Sequence, residues 1–282
     1  MHAKPYLIPL ALLFIFAPLF ISTGCTSGKE KPAVKPGQPQ GAKDDFIDTS
    51  LNLPNIGVLD SPKLPYEIDA PYLIEVTNGG VLAGRTQFTF SKVGEDGLKV
   101  SSEKSIFKPG TEEEVMSVKS AYALDNSLRP KIYAKRQGSP VRQSLMIKSL
   151  DFTGGAIYIE TRYEPSGEGP IQNNVKRPRA EIWPYDFDDV VSLVVIAACI
   201  DPSAKEAGLW ILDINREIPG RFAVALQSEE PVTSDDGVTS IIAKKYDVTL
   251  DGLPIGTFII APGGRLMSVD QPGGLHATIK VL

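Results

Sequence analysis

The chain has 282 residues with 29 basic and 34 acidic side chains, a net charge of -5 and 42% hydrophobic residues. That balance excludes attraction to nucleic acid as a class of function. Two cysteines exclude a disulfide scaffold, and two histidines exclude a His-rich metal centre.

The first element is an apolar run over residues 7–21 behind Lys4, followed by Ser22-Thr23-Gly24-Cys25. Fifteen residues at about 1.5 Å each reach only ~22 Å, short of a ~30 Å hydrocarbon core, and Pro9 and Pro18 weaken a spanning helix. The run therefore predicts a cleaved segment rather than a permanent anchor. An ordinary secretory signal has no need of a cysteine directly after a small-residue pair. The stretch resembles a bacterial lipobox, with Thr23 and Gly24 in the small-residue positions and Ser22 where that motif usually has Leu. The resemblance implies a lipoprotein signal peptide at 1–24, cleavage before Cys25, a diacylglycerol thioether on its sulfur and acylation, such as with palmitate, of the new amine. Two or more acyl chains hold a protein durably on a membrane, which makes the membrane the first expected partner. Thr26 stands where Asp retains many lipoproteins at the inner membrane, so an outer-membrane, periplasm-facing location is expected.

Removing residues 1–24 takes away Lys4 and no acid, leaving 28 basic against 34 acidic side chains and a charge of -6. Cys199 becomes the sole remaining thiol, and its setting among Val, Ile, Leu and Ala predicts a buried, structural cysteine. Residues 25–62 then read as a Pro/Lys-rich tether: Lys29-Glu30-Lys31-Pro32 and Lys35-Pro36-Gly37 carry too little apolar surface to offset the entropy of ordering. As a coil this length averages roughly 35 Å end to end.

Residues 63–282 are expected to form one mainly β domain. Short runs of alternating or β-branched character are bounded by Gly, Pro, Asn and Asp at 72–77, 85–93, 98–103, 115–124, 130–137, 141–152, 156–163, 209–214, 221–227, 239–250, 256–261, 265–270 and 276–282. Gly94-Glu95-Asp96-Gly97 predicts a hairpin between the second and third runs. Pro262-Gly263-Gly264 and Pro272-Gly273-Gly274 predict a meander of the last three. In 85–93, Thr86, Phe88 and Phe90 share one face and Gln87, Thr89 and Ser91 the other, as when one side of a sheet meets a core.

One stretch breaks this rhythm. Asp186-Phe187-Asp188-Asp189 precedes a run of Val, Leu, Ile and Ala from Val190 to Ile200. Its β-branched content argues for a strand; its length, paired alanines and acidic start predict a helix near 188–200 buried nearly all round. A curved antiparallel sheet, as a half-barrel or open barrel, packed on that helix is the expected architecture.

Tyr66-Glu67-Ile68, Gly80-Val81-Leu82-Ala83-Gly84, Asp125-Asn126-Ser127-Leu128-Arg129-Pro130, Asp188-Asp189-Val190-Val191-Ser192-Leu193, Asp251-Gly252 and the 258–266 hairpin occur in that order. This resembles an uncharacterised family of bacterial envelope β-domain proteins, a domain of unknown function, and covers most of residues 63–282. More distantly it is similar to the half-barrels that carry lipoproteins between membranes and hold acyl chains in a concave face. The first resemblance implies a fold without an activity; the second implies a concave surface for an apolar ligand.

Catalysis is not expected, nor a cofactor or metal. His276 follows Gly273-Gly274-Leu275 into the last strand, a position for a solvent-facing side chain. No Walker loop, nucleophile elbow or His-Glu-x-x-His helix occurs. Glu112-Glu113-Glu114, Glu229-Glu230 and Asp235-Asp236 follow turn signals and read as solvated charge, although a facing carboxylate pair would permit hydrolysis of an envelope polymer. Lys176-Arg177-Pro178-Arg179 reads as an exposed basic loop that either meets phosphate or lipid headgroups or is plain surface. The expected activity is binding, of an envelope protein at the sheet's edges or of an apolar ligand in its concavity. A hollow concave face favours the second and a filled one the first.

Overall fold

The computed structural model describes residues 47–48, 50–139, 144–165, 168–234 and 238–282, all within the compact unit Gly41–Leu282. The apolar run over residues 7–21, the expected signal peptide at 1–24, Cys25 and the first part of the predicted tether lie outside the described residues. Among the described residues fifteen strands form one sheet. In chain order they are β1 (Pro71–Asn78), β2 (Val81–Lys92), β3 (Gly97–Phe107), β4 (Glu114–Asp125), β5 (Pro130–Ser139), β6 (Ser144–Asp151), β7 (Ile157–Glu164), β8 (Ile171–Val175) and β9 (Ile182–Tyr185). After helix α1 (Val190–Cys199) come β10 (Glu206–Asp213), β11 (Ile218–Thr233), β12 (Ser240–Leu250), β13 (Leu253–Ile260), β14 (Leu266–Gln271) and β15 (Leu275–Val281).

Strands β1 to β8 run as one meander and β10 to β15 as a second, and β1 joins them by pairing with β15. Every neighbouring pair is antiparallel except β9 on β10. The sheet is curved and not closed, with β8 and β9 at its two ends. The predicted hairpin is β2–β3 with Lys92 opposite Leu98, and the predicted meander is β13–β14–β15. Because the strands alternate in direction, the turns after β2, β4, β6 and β8 emerge at one end of the sheet, here called the lower end. Those after β1, β3, β5 and β7 emerge at the upper end.

Alternation sorts the side chains as the sequence indicates. Thr86, Phe88 and Phe90 are buried while Gln87 and Thr89 face outward. Phe88 and Phe90 pack with Tyr66 and Tyr72, with neighbouring ring centroids 5.1 to 6.0 Å apart. Within α1 all ten residues are 0–7% exposed. The helix is therefore apolar all round, as a helix surrounded by protein must be. Its residues join one core cluster with Phe88, Tyr122, Phe222, Phe258 and Leu266 from strands across the sheet. Each fully buried Val, Ile or Leu of this kind is worth about 1.5–3 kcal/mol of transfer free energy.

Composition places residues 47–62 in the tether, yet the described part of that stretch is fastened to the β domain. Ile47 bridges Arg177, Ile56 bridges Gly208 and Val58 bridges Ile200. Trp210 donates its indole Nε1–H to Leu53 O at 2.8 Å, and Asn55 donates Nδ2–H to Glu181 O at 2.9 Å. Gly57, at φ 60°, makes the close approach possible: a Cβ there would stand 2.3 Å from Glu206 O. This strap crosses the lower end and covers the edge of β10 beyond the reach of β9. It shows neither a helical nor a strand period, and it is held by these backbone and amide hydrogen bonds together with Leu51 and Val58, which pack against the core.

Candidate functional site

Cross-strand register gives the inner face of the sheet a polar row. Ser102, Ser120, Lys135, Lys148 and Thr161 stand opposite one another across β3 to β7, and all five are buried. Below it lies an apolar row of Phe90, Val100, Tyr122, Tyr133, Leu150 and Ile159. Two lysines facing inward from adjacent strands need anionic partners, because an unpaired buried charge costs several kcal/mol or more.

Those partners come from the loop that starts α1 and from the β10–β11 turn. Lys135 Nζ donates to Asp186 Oδ2 at 2.6 Å, with the two side chains 1% and 0% exposed. Tyr133 donates its hydroxyl to the same oxygen at 3.2 Å, while Asp186 Oδ1 accepts from Asn215 Nδ2 and from the Asp188 N–H. Asp189 is the N-cap of α1, its Oδ1 accepting the Val191 N–H at 3.1 Å. Asp189 Oδ2 accepts from Ser120 Oγ at 2.6 Å and Tyr122 OH at 3.5 Å. Since Ser120 spends its one proton on the carboxylate, Ser102 is the donor in the 2.6 Å contact between the two serines. Lys148 Nζ donates to Glu217 Oε1 and to Ile214 O, each at 2.8 Å. Lys104 Nζ donates to Asp188 O.

Together with the bond from Trp183 Nε1 to Leu128 O, these contacts tie β4, β5 and β6 to β9, α1 and the β10–β11 turn. The two halves of an open sheet are thus joined by side chains where no ladder joins them.

Burial pushes the Asp189 carboxyl above the usual carboxylate range, and the neighbouring charge of Asp186 pushes the same way. Burial likewise raises the Tyr122 and Tyr133 phenols well above theirs, reinforced by Asp189 and Asp186 around Tyr122 and by Tyr122 and Asp186 around Tyr133. Glu217 goes the other way: burial alone would raise it, but bonds from Lys148 and Asn173 and the Lys148 charge outweigh that and hold it low. A carboxyl raised by folding costs stability when ionised, and that cost disappears as pH falls through its folded value. The stability difference between the parent and Asp189→Asn should therefore rise in the parent's favour from pH 7 towards pH 4. At neutral pH Asp189→Asn, which keeps the cap acceptor, is expected to cost about 1 kcal/mol or less. Asp189→Ala loses the cap and strands Ser120, costing about 2–4 kcal/mol. Urea unfolding of both variants across that pH range checks this.

The arrangement has the residue types of an acid–base site but not its access. Every side chain in the row is buried, and both oxygens of Asp186 and of Asp189 are occupied. It therefore serves as a clasp.

The residues singled out by sequence fall elsewhere. Cys25, Asp235 and Asp236 lie outside the described residues. Cys199 is fully buried, and burial pushes its thiol up to about 12, which removes the reactive thiolate. His276 stands on the outward face of β15 and is 46% exposed, with Nδ1 2.6 Å from Asp270 Oδ1 and Nε2 3.1 Å from Thr278 Oγ1. The order of groups is that of a triad, but it lies on open sheet surface under bulk water, where neither proton transfer nor charge stabilisation gains from a low dielectric. Glu112, Glu113 and Glu114 each take a different partner, Arg85, Lys108 and Ser105. Glu229 is 3.9 Å from Lys244. In the basic loop Lys176 and Arg179 are exposed, while Arg177 donates to Phe152 O and Gly154 O and pairs with Glu181. Sequence reading missed Lys135, Lys148 and Glu217. The signal was present in β5 and β6, where Lys135 follows Tyr133 at period two and Lys148 precedes Leu150 likewise.

No protein-family model and no curated protein matches the chain. Among solved structures it is similar to a beta-barrel-like protein of the domain of unknown function DUF1849 from Brucella abortus, at TM-score 0.46 and 10% identity. That match covers 77% of this chain and 97% of that one. A second similarity, at TM-score 0.31 and 10% identity, is to an exported protein with a YmcC-like fold from Bacteroides fragilis and covers 78% of this chain and 98% of that one.

Proposed function

We propose that this protein is a lipid-anchored, non-catalytic binding module of the bacterial envelope, held on the outer membrane through Cys25. Its β domain meets an envelope partner with its outer surface and edge strands. The observation that carries this reading over the carrier reading is the burial of every residue of α1. A carrier of acyl chains needs an apolar hollow, and here the inside of the curved sheet is occupied by helix side chains and sealed above them by the polar row. Anchoring is supported by the lipobox-like Ser22-Thr23-Gly24-Cys25, and the outer membrane by Thr26.

The carrier reading keeps one place, the upper rim. Ile106, Met116, Met146 and Tyr163 lie on the inner face above the polar row and are half-buried or exposed. A carboxylate hydrolase would need two facing, reachable acids, whereas Glu112, Glu113 and Glu114 take separate partners and the buried Asp186 and Asp189 are locked in the clasp.

Organic extraction of the full chain, purified in mild detergent and compared with its own intact mass, separates these readings. The expected result is no lipid beyond the covalently attached chains. Recovery of about one lipid per protein would favour a carrier working at the upper rim.

A further inference from the structure

The point at which the strap joins the domain also fixes which end of the sheet a lipid anchor would hold nearest the membrane. Ile47 bridges Arg177 and Asp48 donates its N–H to Arg177 O at 3.0 Å, so the chain coming from Cys25 enters at the lower end beside the loop after β8. Even fully extended, the residues between Cys25 and Ile47 span no more than about 75 Å. The domain is therefore always within reach of the surface, where weak contacts act at high effective concentration.

That sector of the lower end has the composition of a surface that rests on lipid. Lys176 and Arg179 are exposed in the loop, and Arg129 is exposed across from them in the β4–β5 turn. Among the neighbouring acids Glu181 lies between Arg129 and Arg177, which offset it, while Asp48, bonded by the Ser50 N–H and Oγ, keeps its negative charge. Alongside, the strap holds Leu53 at 56% and Ile56 at 51% exposure, flanking the Asn55 that bonds Glu181 O. Elsewhere on the same end cations stand beside acids, Lys92 near Glu95 and Asp96 and Lys205 near Asp201 and Glu206, so it is in the sector where the strap enters that exposed cations stand together with exposed Leu53 and Ile56.

We propose that Lys176, Arg179, Arg129, Leu53 and Ile56 form a membrane-seating face that rests on anionic lipid headgroups and turns the upper end of the sheet outward. This rests on the anchoring proposed above. Cations near an anionic leaflet are attracted within a screening length of about 8–10 Å, and adjacent apolar side chains enter the headgroup layer. The partner-facing surface is then the upper end and the sheet faces beside it.

The test uses the full lipid-anchored chain on vesicles of phosphatidylethanolamine and phosphatidylglycerol containing a headgroup spin label. A fluorophore is placed at Asn52→Cys on the strap or at Glu112→Cys at the upper end; buried Cys199 does not compete. The expected result is strong quenching at 52 and little at 112. Lys176→Glu with Arg179→Glu, or salt near 1 M with its screening length of about 3 Å, should relieve the quenching while the protein stays on the vesicles. Equal quenching at both sites on bound protein, or quenching at 52 that ignores charge reversal and salt, overturns the seating face and leaves the anchor standing. Failure of the parent chain to stay on the vesicles overturns the anchor and the orientation with it.

Discussion

Lys135→Met is expected to lower the unfolding free energy of the β domain by about 3–5 kcal/mol, because it leaves the Asp186 carboxylate buried without its cation. Asp186 keeps its bonds from Tyr133, Asn215 and the Asp188 N–H, but none of those donors carries a charge. The consequence is not local. Asp186 begins the loop that ends in the N-cap of α1, so a displaced Asp186 loosens both the helix start and the junction between β5 and β9. For a domain of this size the loss corresponds to a fall in melting temperature of roughly 10 °C. Asp186→Asn, which strands Lys135 instead, should cost a similar amount. The double variant Lys135→Met/Asp186→Leu should recover part of the loss, since an apolar pair of similar volume can replace a buried ion pair at little net cost. Guanidinium unfolding of the four proteins measures this. A loss below about 1 kcal/mol for Lys135→Met would mean that the clasp does not hold the sheet's two halves together.

Much of this fold is legible locally. Runs of alternating residues ending at Asn78-Gly79-Gly80, Gly94-Glu95-Asp96-Gly97 and Pro272-Gly273-Gly274 become strands ending in turns, since side-chain period and turn chemistry are properties of a few adjacent residues. The helix predicted near 188–200 is α1, capped by one of the acids in Asp186-Phe187-Asp188-Asp189. What local patterns do not carry is the pairing of distant strands. The pairing of β1 with β15 joins residues about 200 positions apart, and nothing in 71–78 names its partner. Strand β9 is four residues long and contains Pro184, which argues against a strand on propensity; it pairs on one edge with β10 and is otherwise held by side chains. Strand β8 is likewise short and polar. The clasp escapes for a related reason. Lys135 and Lys148 look like ordinary surface lysines until the register places both inside, opposite an acidic loop far along the chain.

The chemistry proposed at Cys25 carries the largest consequence for function, because it decides whether the β domain works at a membrane at all. Two or more acyl chains on one residue hold a protein essentially permanently, whereas no described helix is long and apolar enough to cross a bilayer. Cys25→Ala should therefore abolish both the lipid adduct and cleavage before residue 25, leaving a precursor that retains its leader. The most direct measurement is intact mass and N-terminal sequencing of the mature parent chain and of Cys25→Ala, each recovered from bacterial membrane and soluble fractions. The expected result is a membrane-bound parent that begins at Cys25 and is heavier than its polypeptide by a diacylglyceryl group with or without a further acyl chain, and a variant lacking both features. A parent whose mass equals its bare polypeptide, or a Cys25→Ala chain that matures and partitions as the parent does, would contradict it.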